Sequence, residues 1–122
     1  MAKKIKSRKQ KQIKLINNPN INTTIQNYMK KAMDYMKLAE NAVKNNNNES
    51  ARKNSRDALE EIVNGDIFIS QNKRMYNIND KIILEYKNVY EKISILVKSI
   101  YGDERPILSE DSIAGDEMYG RI

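Results

Sequence analysis

Cysteine and histidine are both missing from this 122-residue chain. Without cysteine there is no disulfide framework, and small secreted domains usually depend on one, so the expected setting is intracellular rather than secreted. The double absence also removes the usual ligands of zinc, copper and haem, the commonest proton shuttle and the strongest nucleophile. No metal or other cofactor is expected, and an enzyme is not what this composition favours. No apolar run approaches the roughly 18 residues that suggest a membrane-spanning helix, so no membrane partner is expected either.

Other chemical signatures are also lacking. There is no glycine-rich phosphate loop, serine nucleophile elbow or calcium-loop spacing. The acidic pairs Glu60-Glu61, Asp103-Glu104 and Glu110-Asp111 are sequence neighbours. On a helix, adjacent residues point in different directions, so Glu60 and Glu61 cannot converge on one site. No small-molecule substrate is expected.

Acids are absent from the first 33 residues, and the first is Asp34. Lys3, Lys4, Lys6, Arg8, Lys9, Lys11 and Lys14 precede it within a basic arm over 1–16. The sign reverses at the other end, where Asp103, Glu104, Glu110, Asp111, Asp116 and Glu117 face Arg105 and Arg121. A chain polarised in this way has the charge pattern of interaction tails. The arm suits phosphates or an acidic partner, through salt-sensitive contacts. It carries no aromatic to stack on bases and one arginine for base edges, so sequence-specific reading is not expected of it. A mitochondrial presequence is also basic and free of acids, but it favours arginine and a strong amphipathic face. This arm is lysine-heavy and weakly amphipathic, and is expected to be retained.

What is present, at 39% hydrophobic and 31% charged residues, is periodic. Asn17-Asn18-Pro19-Asn20 reads as a linker, closing an arm-and-linker region over 1–20. Thr23 and Gln26 match a capping box, predicting a first helix from about Thr23. Its stripe runs through Ile25, Tyr28, Met29, Ala32, Tyr35, Met36, Ala39, Ala42 and Val43. The run Asn45–Asn48 ends it, because asparagine tolerates left-handed geometry. A second helix is predicted over 49–63, capped by Asn48, with a thin stripe of Ala51, Ser55, Ala58, Leu59, Ile62 and Val63 and a stop at Asn64-Gly65. Residues 66–76 are expected to form a short fourth helix or an ordered turn. A third long helix, capped by Asn79 and stopped by Gly102, carries Ile82, Ile83, Tyr86, Val89, Tyr90, Ile93, Leu96, Val97, Ile100 and Tyr101.

The fold class expected is all-α. A small antiparallel three-helix bundle over 21–102 lies between the basic arm and an extended acidic tail over 103–122. In that tail Ile107, Leu108, Ile113, Met118 and Tyr119 stand among carboxylates, as in a segment that docks on a partner. The cations Arg52, Lys53 and Arg56 are expected on the wet face of the second helix, partly neutralised by Asp57, Glu60 and Glu61. The helical tyrosines are expected to be half-buried core with hydroxyls at the rim.

Residues 35–58 resemble one tetratricopeptide-type hairpin through Tyr35, Leu38, Ala39, Ala42, Ala51, Ser55 and Ala58, although stacking of such units normally takes three. Met1-Ala2-Lys3-Lys4-Ile5-Lys6-Ser7, with the stretch from Gly65 to Asn72-Lys73, resembles a bacterial small-subunit ribosomal protein family of three-helix bundles with a basic N-terminal extension. That resemblance implies RNA contact through a basic third helix. Here the third helix carries Asp80, Glu85 and Glu91, a departure that puts the RNA face in doubt. Neither likeness assigns a family.

The function expected is that of a non-enzymatic structural or assembly subunit, bound to neighbouring proteins in a larger particle such as a bacteriophage virion. The richness in lysine, asparagine and isoleucine, which fits AT-rich coding, is what suggests that setting. The alternatives are a nucleic-acid-binding protein using the arm and, third, a helical adaptor or chaperone.

Overall fold

The computed structural model describes residues 15–108, and these form three helices with no strand among them. They are α1 (Pro19–Lys44), α2 (Asn48–Asn72) and α3 (Asp80–Tyr101). Residues 1–14 of the basic arm and 109–122 of the acidic tail lie outside the described residues.

α1 starts four residues before the capping box expected at Thr23. Asn18, extended at φ −137°, accepts a bond from Asn20 N at 3.0 Å, and Pro19 takes the first helical position. Proline costs nothing there, because its missing N–H would have had no intrahelical partner. Thr23 lies inside the helix and its hydroxyl donates to Pro19 O at 3.1 Å. The early start buries Ile21 as well as Ile25.

The asparagine run ends α1 as expected, with Asn46 in the left-handed region at φ 57°. The cap of α2 is Asn47 rather than Asn48, and its side chain accepts from Ser50 N at 3.1 Å.

The larger correction concerns Gly65, which does not stop α2. The helix runs through it to Asn72, so residues 66–72 extend α2 and form no fourth helix. Glycine within a helix costs about 1 kcal/mol relative to alanine. What offsets that cost is proximity. A Cβ at Gly65 would lie 2.8 Å from Tyr28 Cβ and would overlap the Tyr86 hydroxyl. Ile62, Val63 and Ile67 are buried on either side of it, and each fully buried aliphatic contributes on the order of 2 kcal/mol.

α3 matches its expected bounds. Asn79 Oδ1 accepts from Lys81 N at 2.8 Å, and Gly102 closes the helix at φ 64° with its N–H on Lys98 O. Tyr28 meets Phe68 with ring centroids 5.9 Å apart, pairing the start of α1 with the end of α2. The Tyr86 hydroxyl donates to Ile62 O and that of Tyr101 to Arg52 O, an inverse order that makes α2 and α3 antiparallel as well. α1 and α2 share the most extensive interface, and α1 and α3 the least. The core runs from Ile21 and Ile25 through Ile62 and Ile93 to Val97, and it includes Leu108.

Candidate interaction surface

α2 and α3 are held apart by tyrosines, and two cavities lie on the outside of their seam. One is lined by Leu59, Tyr90, Ser94 and Val97, together with Gly102–Pro106, the stretch that leaves α3. Arg52 fastens that stretch by pairing with Glu104 at 3.1 Å, while its guanidinium lies 5.0 Å from the centroid of the Tyr101 ring. Burial raises the Tyr101 hydroxyl above its ordinary 10.0, although Arg56 and Arg52 pull the other way. Leu108 then enters the core at 4% exposure.

A second cavity, near 510 Å³, lies along the same seam toward the arm end. Ile69, Tyr76, Ile78, Ile83 and Leu15 supply its apolar lining, and Asp66, Lys73, Asp80 and Lys87 its charges. α2 can furnish Ile69 and Ser70, and its C-cap Lys73, to this wall only because it passes Gly65 without stopping. The Tyr86 hydroxyl, buried beneath, is held protonated well above its ordinary value, chiefly by desolvation.

The segment entering α1 is tied to the loop between α2 and α3. Ile16 N donates to Met75 O and Asn77 N donates to Ile16 O, both at 2.9 Å, in an isolated parallel bridge. Asparagines add to it: Asn77 Nδ2 donates to Asn17 Oδ1 at 2.6 Å, and Asn79 N donates to Asn22 Oδ1 at 3.0 Å. The N-termini of α1 and α3, the positive ends of their dipoles, therefore meet at the end of the bundle from which the arm departs. Lys73 and Arg74 are exposed beside the bridge.

Of the residues singled out in the sequence, Lys3, Lys4, Lys6, Arg8, Lys9, Lys11 and Lys14 lie outside the described residues, as do Ile113, Met118 and Tyr119. Ile107 is 72% exposed. Leu108 is packed into this chain's own core. Of the α2 cations, Lys53 is exposed and Arg52 and Arg56 are half-buried; Arg52 pairs with Glu104, and Arg56 pairs with Asp57, one of the acids expected to neutralise the cluster. The tyrosines are buried or half-buried, as expected, but the Tyr86 hydroxyl points into the core and not to its rim.

Sequence reasoning missed both cavities. The first depends on Leu108 returning across a reversal of direction, and no local periodicity announces that. The second was obscured by reading Asn64-Gly65 as a stop.

Large aliphatics also remain on the outer faces, notably Leu84 and Ile95 on α3 at 61% and 63% exposure and Leu38 and Val43 on α1 at 52% and 48%. On α2, burial raises the Glu61 carboxyl above its ordinary 4.5. Lys31 opposes that shift, and Glu60 and Asp57 add to it. Among the described residues no group of three or more acids could hold a metal ion, and no helix is long and apolar enough to cross a membrane. Comparison of the chain with protein-family models, curated proteins and solved structures finds no match.

Proposed function

We propose that this protein is a non-enzymatic structural or assembly subunit, which binds neighbouring proteins through its helical bundle and its oppositely charged ends. The observation that carries this reading is the exposure of Leu84 and Ile95 on the side of α3 turned away from the core. Eleven residues apart, they stand on one helical face three turns from each other. Asn88 and Glu91 lie between them on that face, so they are two separate apolar contact points and not one continuous patch. A component of a larger particle, such as a bacteriophage virion, is the setting this reading favours. The test is sedimentation of the chain from its native source. It is expected in fractions far heavier than its own 14.2 kDa, and recovery solely as a free monomer contradicts the proposal.

A second reading is binding to a nucleic-acid backbone. Supporting it is the meeting of two helix N-termini, with Lys73 and Arg74, at the end where the arm leaves the bundle. Titration with DNA and with RNA at two salt concentrations tests it. Affinity that falls steeply with salt and disappears on deletion of residues 1–16 supports this reading. Absence of binding at low salt removes it.

A further inference from the structure

Three of the eight large hydrophobic residues left exposed among the described residues meet at one place. Leu15, Ile16 and Met75 are 38%, 52% and 52% exposed. Ile16 N donates to Met75 O at 2.9 Å, in the bridge that ties the entry of α1 to the loop between α2 and α3. Asn77 fastens the same bridge twice, through its N–H on Ile16 O and its Nδ2 on Asn17 Oδ1. A tied backbone therefore presents these side chains at the arm end of the bundle.

That end is also poor in acids. Over 15–20 and 72–81 it carries Lys73, Arg74 and Lys81, all exposed, against Asp80. At the opposite end Lys44, Lys98 and Arg105 are matched by Glu49, Asp103 and Glu104. The arm adds seven cations over 3–14, the last of them bonded directly to Leu15.

We propose that the arm end of the bundle binds an anionic lipid surface, with Leu15, Ile16 and Met75 entering the headgroup boundary and the surrounding cations facing acidic headgroups. Binding of this kind combines buried apolar area with attraction to anionic lipid, and clusters of four to eight cations supply the second term. It needs no spanning helix, and the expectation of no membrane partner rested on the lack of one. A nucleic-acid backbone engages the cations but leaves the three apolar side chains in water. The arm's six lysines to one arginine also suit headgroups met as point charges better than bidentate contacts. The proposal goes beyond the assembly reading and competes with the nucleic-acid reading for the arm.

The full chain has no tryptophan, so Ile16→Trp places one fluorescent reporter at the bridge, and Leu38→Trp places one at an equally exposed site on α1. The vesicles are phosphatidylcholine alone and phosphatidylcholine with phosphatidylserine. The expected result is a blue shift for Ile16→Trp on the phosphatidylserine vesicles, diminished by salt, and none for Leu38→Trp on either. In co-sedimentation, Ile16→Gln with Met75→Gln should weaken binding to those vesicles about tenfold. The same double variant should keep its thermal transition and any affinity for DNA or RNA. A blue shift at both sites or at neither, equal binding to the two kinds of vesicle, or a double variant that binds as tightly as the parent overturns the proposal. Loss of nucleic-acid affinity in that variant, with vesicle binding unchanged, assigns the surface to nucleic acid and overturns it too.

Discussion

α2 meets its two neighbours in different ways. The buried small residues of α2 are Ala51, Ser55, Ala58 and Gly65, and α1 has its own in Ala32, Ala39 and Ala42; Gly65 sits against Tyr28 of α1 and Tyr86 of α3. Small side chains let the two backbones approach, and the resulting interface is the most extensive in the molecule. Toward α3 the spacers are Tyr86, Tyr90 and Tyr101, and two of their hydroxyls reach carbonyls of α2. Long side chains hold the helices apart and leave two cavities, one of them walled by the chain after α3. One seam is closed by the absence of side-chain bulk, and the other is spanned by it and left open to an occupant.

The most forceful way to break this contrast is to add bulk at Gly65, where α2 meets Tyr28 of α1 and Tyr86 of α3. Gly65→Ala should destabilise the fold by about 1–3 kcal/mol through overpacking, although alanine favours a helix intrinsically. A shift of the urea midpoint to lower concentration checks it, and a stabilised variant would mean that Tyr28 and Tyr86 yield easily. On the open seam, Leu108→Ala should cost about 2 kcal/mol as a buried large-to-small change. Ile107→Ala next to it should leave the midpoint almost unmoved. Equal effects at the two positions would show that Leu108 is not the residue that anchors the returning segment to the core.

Tyr86→Phe sharpens the contrast through pH. At neutral pH the lost hydrogen bond should cost about 1 kcal/mol. The hydroxyl's folded-state value lies above its ordinary 10.0. Its contribution is therefore complete below pH 10 and is lost as pH rises toward the folded-state value, because the unfolded chain releases the proton first. The parent should lose stability above pH 10 more steeply than the Phe variant in denaturant titrations. Tyr101, shifted in the same direction, leaves the variant some residual slope. The smallest effect is expected from Glu104→Gln, about 0.5 kcal/mol and reduced by salt, because the Arg52–Glu104 pair is largely exposed.

The three helices were legible because their signals are local. The Asn79 cap, the left-handed asparagine turn, the Gly102 stop and the apolar stripes each follow from a few neighbouring residues. The failures mark where distant contacts override local rules. Asn64-Gly65 has the composition of a helix stop, yet Tyr28 and Tyr86 turn its missing Cβ into a packing requirement. Thr23 and Gln26 have the spacing of a capping box, yet Pro19 starts α1 a turn earlier and buries Ile21. The burial of Leu108 was not legible because nothing in its neighbourhood encodes a return to the core. The candidate surface was less legible than the fold for the same reason, since a groove between helices depends on how far apart their side chains hold them.

The central claim is that this bundle works by being held among other chains, and cross-linking within the native assembly tests it most directly. Lys81 and Lys92 are exposed on α3, on the side that carries Leu84 and Ile95. The account predicts links from these lysines to other proteins, and their disappearance when Leu84 and Ile95 are both changed to aspartate while the thermal transition is kept. Links confined to residues of the same chain would contradict it.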